Sequence, residues 1–253
     1  MKKFLKFILL IGILLLNDGL SAQSIDKLYP SKSVVSRYHN DWTIKNYQSR
    51  IASFKNKPLK YGEVVFIGNS ITQQGGDWNK RFGLEHIRNR GIAGDVTDGI
   101  LKRLDEICYF QPKAVFILIG VNDLFNMHHD IDTRFAYDKI VPSVDYIAKN
   151  ILRITKKIAR KSPQTKIYVR TILPTRRDFL KDDIIAVNKL IRSNAVNAPY
   201  EVIDLYNQFI NQKGSMVKEY TKDGVHLTQK GYEHWVEFER PILDKILNSS
   251  DCR

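Results

Sequence analysis

Between residues 64 and 72 the chain reads Val64-Val65-Phe66-Ile67-Gly68-Asn69-Ser70-Ile71-Thr72. Two β-branched valines and two further apolar residues run directly into Gly-Asn-Ser. An apolar run this short, bounded by glycine, reads as a strand buried on both faces. Ser70 then stands just past the strand's carboxyl end, the edge at which open α/β sheets bind ligands. A serine held there by a tight turn can act as a nucleophile, yet Gly-x-Ser tripeptides are common by chance. The serine gains meaning only if the chain also supplies a base, an acid to orient that base, and donors for an oxyanion.

On either side of this strand, apolar runs alternate with amphipathic stretches. Upstream, Tyr38, Trp42, Tyr47, Ile51 and Phe54 have roughly helical spacing, which predicts a helix near 41–56 ended by Pro58. These aromatics read as packing residues rather than a binding platform. Downstream, a helix is expected near 77–84, a strand near 86–90, and a helix from Asp95 to Phe110, with Asp95 and Asp98 in its first turn. Ala114 to Ile119 is the most hydrophobic run after the leader and reads as a central parallel strand. A long helix over 134–160 follows, with Pro142 breaking or kinking its start. Further strands near 166–171 and 201–204 alternate with helices near 182–195 and 229–247. This alternation predicts an α/β fold, a doubly wound parallel sheet with helices on both faces.

The chain has 253 residues, 43% hydrophobic and 26% charged, the balance of a globular protein with a substantial core. Residues 1–22 read as a secretory signal peptide: Met1-Lys2-Lys3, an apolar run to Leu16, then Ser21-Ala22 before the expected cleavage. They are too short for a comfortable membrane span. The expected organisation is therefore a signal peptide over 1–22, a lead-in helix over 23–61 packed on the domain, and one domain over 62–253. The mature protein is expected in the periplasm or outside the cell, with no stable membrane insertion. A net charge of +13 admits nucleic acid, anionic lipid or an acidic polysaccharide as partner. The Lys and Arg residues are spread along the chain without a long run, so a basic surface is the better reading and nucleic-acid binding is not expected. Cys108 reads as a buried thiol, and Cys252 is next to last. Their pairing is left open. No C-x-x-C or His/Cys cluster suggests a metal.

The strand-end loops converge at one edge of such a sheet, and they offer Ser70, Gly94, Asn122, Asp223 and His226. His226 is the best candidate base for Ser70. Asp223 precedes it by three residues, a spacing that lets the carboxylate fold back onto the imidazole, and Gly224 allows the bend. An ordinary Asp-Gly turn capping the last helix is the plainer alternative. The backbone N–H groups of Ser70 and Gly94 and the side-chain amide of Asn122 are candidate oxyanion donors. Gly94 could instead relieve a turn, and Asn122 could cap a helix. His128 and His129 read as exposed, while His39, His86 and His234 show no partner pattern. Arg176 and Arg177 follow a strand end and could meet an anionic substrate or lie in a solvated loop.

Four blocks of this chain resemble those of the SGNH/GDSL hydrolases: Gly68-Asn69-Ser70-Ile71-Thr72, Asn89-Arg90-Gly91-Ile92-Ala93-Gly94-Asp95, Gly120-Val121-Asn122-Asp123 and Asp223-Gly224-Val225-His226-Leu227. They occur in the family's order and span nearly the whole chain after the leader. The second block is most similar to the branch of platelet-activating-factor acetylhydrolase-like acylesterases. The resemblance implies a flavodoxin-like three-layer α/β/α fold around a five-stranded parallel sheet, with no metal or other cofactor. It implies Ser70 as nucleophile, Asp223 and His226 as its partners, and Ser70, Gly94 and Asn122 as oxyanion donors. Asn69 departs from the family, which often has Asp there. Thr72 stands where an α/β-hydrolase elbow has its second glycine, which argues against that fold. The expected activity is a secreted serine esterase acting on short acyl esters, acetyl above all, of a small molecule or glycan. A lysophospholipase or thioesterase of the same family and a non-catalytic carbohydrate-binding protein are the alternatives. The number of subunits is left open.

Overall fold

A computed structural model describes residues 25–248. Five strands form one sheet in the order β2-β1-β3-β4-β5, every pairing parallel: β1 (Val64–Gly68), β2 (Ile87–Gly91), β3 (Ala114–Leu118), β4 (Lys166–Arg170) and β5 (Glu201–Ile203). This is the flavodoxin-like order expected above. Its direction of winding reverses between β1 and β3, leaving a crevice at their carboxyl ends. β1 pairs on one side with β2 in the register Gly68↔Gly91 and on the other with β3 in the register Gly68↔Leu118. The loop bearing Ser70 is therefore flanked by the loops bearing Gly94 and Asn122.

The pleat sends alternate residues of β1 to opposite faces. Val65 and Ile67 join Val115, Ile117 and Val169 on one face. There they meet the isoleucines 147, 151, 154 and 158 of α7 (Val144–Lys161) and Ile184, Val187 and Ile191 of α8 (Lys181–Ala195). Val64 and Phe66 face the other way, onto Trp78 and Phe82 of α3 (Trp78–Phe82) and Trp235 and Leu243 of α10 (Gln229–Asn248). Both β1 and β3 are buried along their full length, which is why their sequences show no polar alternation.

Helix α1 (Asp41–Asn56) opens with a capping box between Asn40 and Thr43. Its Tyr47, Ile51 and Phe54 pack with Tyr29 and Ile92. The expected signal peptide and Cys252 lie outside the described residues. Cys108 is buried, and burial raises its thiol pKa.

Two expected helices differ from what is observed. The helix read as Asp95–Phe110 is two short ones, α4 (Thr97–Leu101) and α5 (Asp105–Phe110). Between them Arg103 turns inward and is nearly enclosed, donating to Asp95, to the carbonyl of Arg90 and to that of Gly68. Asp95 accordingly lies before the helix rather than in its first turn. The helix read as 134–160 begins only at Val144, where the Ser143 hydroxyl caps the N–H of Tyr146 at 3.1 Å. Residues 128–143 form an irregular connection that turns toward the crevice.

Candidate active site

The crevice contains a cleft of about 360 Å³, lined by Ser70, Gly94, Asn122, Asp223 and His226 together with residues of α1 and the 128–143 connection. All five residues singled out in the sequence thus meet in one place. Ser70 is the first residue of α2 (Ser70–Gln74), and the buried Asn69 before it accepts the N–H of Ile71 at 3.0 Å through its side-chain oxygen. Being first in the helix, Ser70 has no acceptor for its N–H within that helix.

His226 Nε2 lies 3.0 Å from Ser70 Oγ, and His226 Nδ1 lies 2.6 Å from Asp223 Oδ2. The other Asp223 oxygen accepts the N–H groups of Val225 at 3.0 Å and His226 at 2.8 Å. Burial raises the Asp223 pKa, but these bonds from His226 and Val225 outweigh it and bring it down to about 2. An ionised carboxylate only accepts hydrogen bonds, so His226 Nδ1 carries the proton. In the neutral imidazole, Nε2 then offers its lone pair to the Ser70 hydroxyl. Gly224, at φ +89°, makes the bend that returns the carboxylate to the imidazole. The plainer alternative of a simple turn is therefore insufficient, because the same loop reaches Ser70, 156 positions away in the sequence.

Gly94 has φ +82°, and a side chain there would also strike Thr43 of α1. Its N–H finds no protein acceptor among the described residues. Asn122 is the second residue of α6 (Val121–Met127), after the cap position, and donates to the carbonyl of Asp95 at 2.9 Å. Among the described residues its side chain caps no helix, and its second amide hydrogen has no acceptor. Below this pair, Asp123 accepts the N–H of Thr97 at 3.1 and 3.0 Å and its hydroxyl at 2.6 Å. The first turns of α4 and α6 are thereby tied together under Gly94 and Asn122. Burial raises the Asp123 pKa to about 7, against the lowering effect of the Thr97 bonds.

Several contributors were not singled out from the sequence for this role. Asp95 is buried against Arg103 at 2.8 Å and His39 at 3.2 Å, so His39 does have a partner. Tyr38 and Trp42 line the cleft, which corrects their reading as packing residues alone. Asp132, Arg134, Phe135 and Tyr137 reach it from the 128–143 connection, the last three from a stretch expected to be helical. Arg177 also lines it, with Nη2 donating to the Asp223 carbonyl at 3.0 Å, while Arg176 donates to the carbonyl of Met216. His128 is half-buried rather than exposed, 2.6 Å from Asp183, and does not line the cleft. His234 stacks on Tyr220, and His86 is exposed.

Residues 66–234 match the model of the GDSL-like Lipase/Acylhydrolase family. The chain belongs to that family and is an ester-hydrolysing enzyme. It is 28% identical over 181 residues to platelet-activating factor acetylhydrolase IB subunit alpha1 of Homo sapiens, covering 68% of this chain and 71% of the relative. Among solved structures, a GDSL-like lipase from Bacteroides thetaiotaomicron superimposes with a TM-score of 0.62 at 22% identity, over 79% of this chain and 98% of the other. An acetylxylan esterase from Geobacillus stearothermophilus does so with a TM-score of 0.58 at 18% identity, over 75% and 96%. At these identities the two structures speak for the fold.

Proposed function

We propose that this protein is a secreted serine esterase that removes short acyl groups, acetyl above all, from carbohydrate esters. The observation that carries the reading is the continuous line from Asp223 Oδ2 to His226 Nδ1 at 2.6 Å and from His226 Nε2 to Ser70 Oγ at 3.0 Å, opening into the cleft. In this reading Ser70 Oγ attacks the ester carbonyl as His226 Nε2 takes its proton. Asp223 keeps the imidazole in its reactive tautomer and stabilises the imidazolium. The tetrahedral oxyanion lies among the N–H groups of Ser70 and Gly94 and the spare amide hydrogen of Asn122. Each such donor contributes about 10²–10³ in rate. Collapse breaks the bond to the alcohol, which leaves with the proton from His226. Water then gives a proton to His226 and attacks the acyl-enzyme, and the acid departs as Ser70 regains its hydrogen.

The cleft volume of about 360 Å³ lies at the low end of the roughly 300–1,000 Å³ of ligand pockets, which favours a small acyl group. The acetylxylan esterase with the same fold supports a glycan as the alcohol. The leader over 1–22, the lead-in over 23–61 and the domain over 62–253 remain the proposed organisation, with the site reached from outside the cytoplasm. A non-catalytic carbohydrate-binding role would have no use for the Asp223–His226–Ser70 line. A fluorophosphonate probe tests the proposal: wild-type protein should gain one adduct, mapped to Ser70. Absence of labelling, or labelling elsewhere, contradicts it.

A further inference from the structure

Three cations surround the loop that carries Asp223 and His226. Arg177 lines the cleft and is held by the carbonyl of Asp223 at 3.0 Å. Arg176 packs against Gly224 and donates to the carbonyl of Met216 at 3.0 Å. Lys222 donates to the side-chain oxygen of Gln74 at 2.9 Å, and Gln74 lines the cleft. Every one of these acceptors is neutral. The carboxylates of the cleft are already engaged, Asp223 by His226 and Asp132 by Arg134. Arg134 holds the Asp132 carboxyl below its usual range, and Arg177 adds a weaker attraction from farther off. Among the described residues, none of the three cations lies within ion-pair distance of a carboxylate. Together with Arg134, the three cations outnumber the two carboxylates of the cleft, Asp132 and Asp223, so the described residues leave its rim positively charged.

Elsewhere in the cleft, Trp42 and Phe135 stack with ring centroids 6.2 Å apart and planes at 29°, and they remain 52% and 41% exposed. Exposed aromatic rings offer negative π faces, which suit the C–H faces of a pyranose. An acyl tail would gain from the rings but would have nothing to pair with the arginines and Lys222. A sugar that bears a carboxylate satisfies both walls, and guanidinium–carboxylate pairing is the strong, directional contact available.

We propose that the alcohol half of the substrate is an acidic oligosaccharide: an O-acylated glycan whose sugar stacks on Trp42 and Phe135 while its carboxylate meets Arg177 and Lys222. This rests on the esterase reading of Ser70 and adds a substrate class to it. The test compares kcat/KM for an acetylated oligogalacturonide and an acetylated xylo-oligosaccharide of equal length, with 4-nitrophenyl acetate reporting the chemistry at Ser70. Wild-type protein should prefer the acidic glycan about tenfold at low salt. Most of that preference should vanish between roughly 0.05 and 0.5 M NaCl, because exposed charges are screened. The double variant R177Q/K222Q should bring the ratio close to even. No preference in wild type, a ratio untouched by both salt and the double variant, or equal losses on both glycans would overturn the inference. So would faster turnover of an acetyl ester carried by a phosphate-bearing lipid. If wild-type protein fails on 4-nitrophenyl acetate as well, the esterase reading itself falls and the substrate class with it.

Discussion

Asn69 is the position at which the chain departs from the Asp-Ser form frequent in its family. Its side-chain oxygen accepts the N–H of Ile71 at 3.0 Å and so fixes the turn that presents Ser70. An aspartate oxygen accepts the same bond, so shape does not require one residue over the other. Asn69→Asp keeps this acceptor and should leave kcat/KM on an aryl acetate within about twofold of wild type. Steady-state kinetics at pH 7 check this, and a large gain would mean that Asn69 holds the site back. At this scale the sequence carried a great deal: Ser70, Gly94, Asn122, Asp223 and His226 could each be picked out because each offers a group the others lack, and all five line one cleft. His39 and Arg103 could not be. A buried charge network depends on partners 56 and 8 positions away, and no local pattern records which buried charges meet.

Among the elements, the pairing of α4 with α6 sets the distance between Gly94 and Asn122, and Asp123 is its fastener. The Asp123 pKa is raised from 3.8 to about 7, so folding favours the protonated form. The folded state then holds more protons than the unfolded one between about pH 4 and pH 7. Stability must fall as pH rises through that window and level off above it. Urea unfolding at pH 5 and pH 8 should show a loss of up to a few kcal/mol for wild type that is largely absent in Asp123→Asn. An equal pH dependence in both proteins would remove Asp123 as its source. Periodicity found the strands to within a residue or two, because buried parallel strands are continuous apolar runs. It failed at 95–110 and 134–143 for physical reasons. Arg103 leaves the helical path to reach Asp95, and Pro142-Ser143 starts α7 ten residues later than expected, freeing the segment that brings Arg134, Phe135 and Tyr137 to the cleft.

At the level of the whole molecule, the five-stranded parallel sheet explains why so distant residues share a site, since its strand order places the ends of β1 and β3 side by side. The sheet is fixed to α10, which follows directly from the His226 loop, by a pair the sequence did not announce. Arg170 of β4 meets Glu239 of α10 at 2.9 Å, both side chains wholly enclosed, with the guanidinium over the rings of Phe66, Phe116 and Trp235. Removing one member strands the other in an apolar layer. Glu239→Ala should therefore cost about 3–5 kcal/mol in denaturant unfolding. A cost below about 1 kcal/mol would show that the pair is solvated or replaceable.

The proposed chemistry rests on Ser70, and the most direct measurement is the kcat/KM of wild type and Ser70→Ala on 4-nitrophenyl acetate, with circular dichroism to show that both are folded. Rapid hydrolysis by wild type is expected, with a fall of about 10⁴-fold or more in the variant. A folded Ser70→Ala protein that hydrolyses the ester as fast as wild type would contradict it.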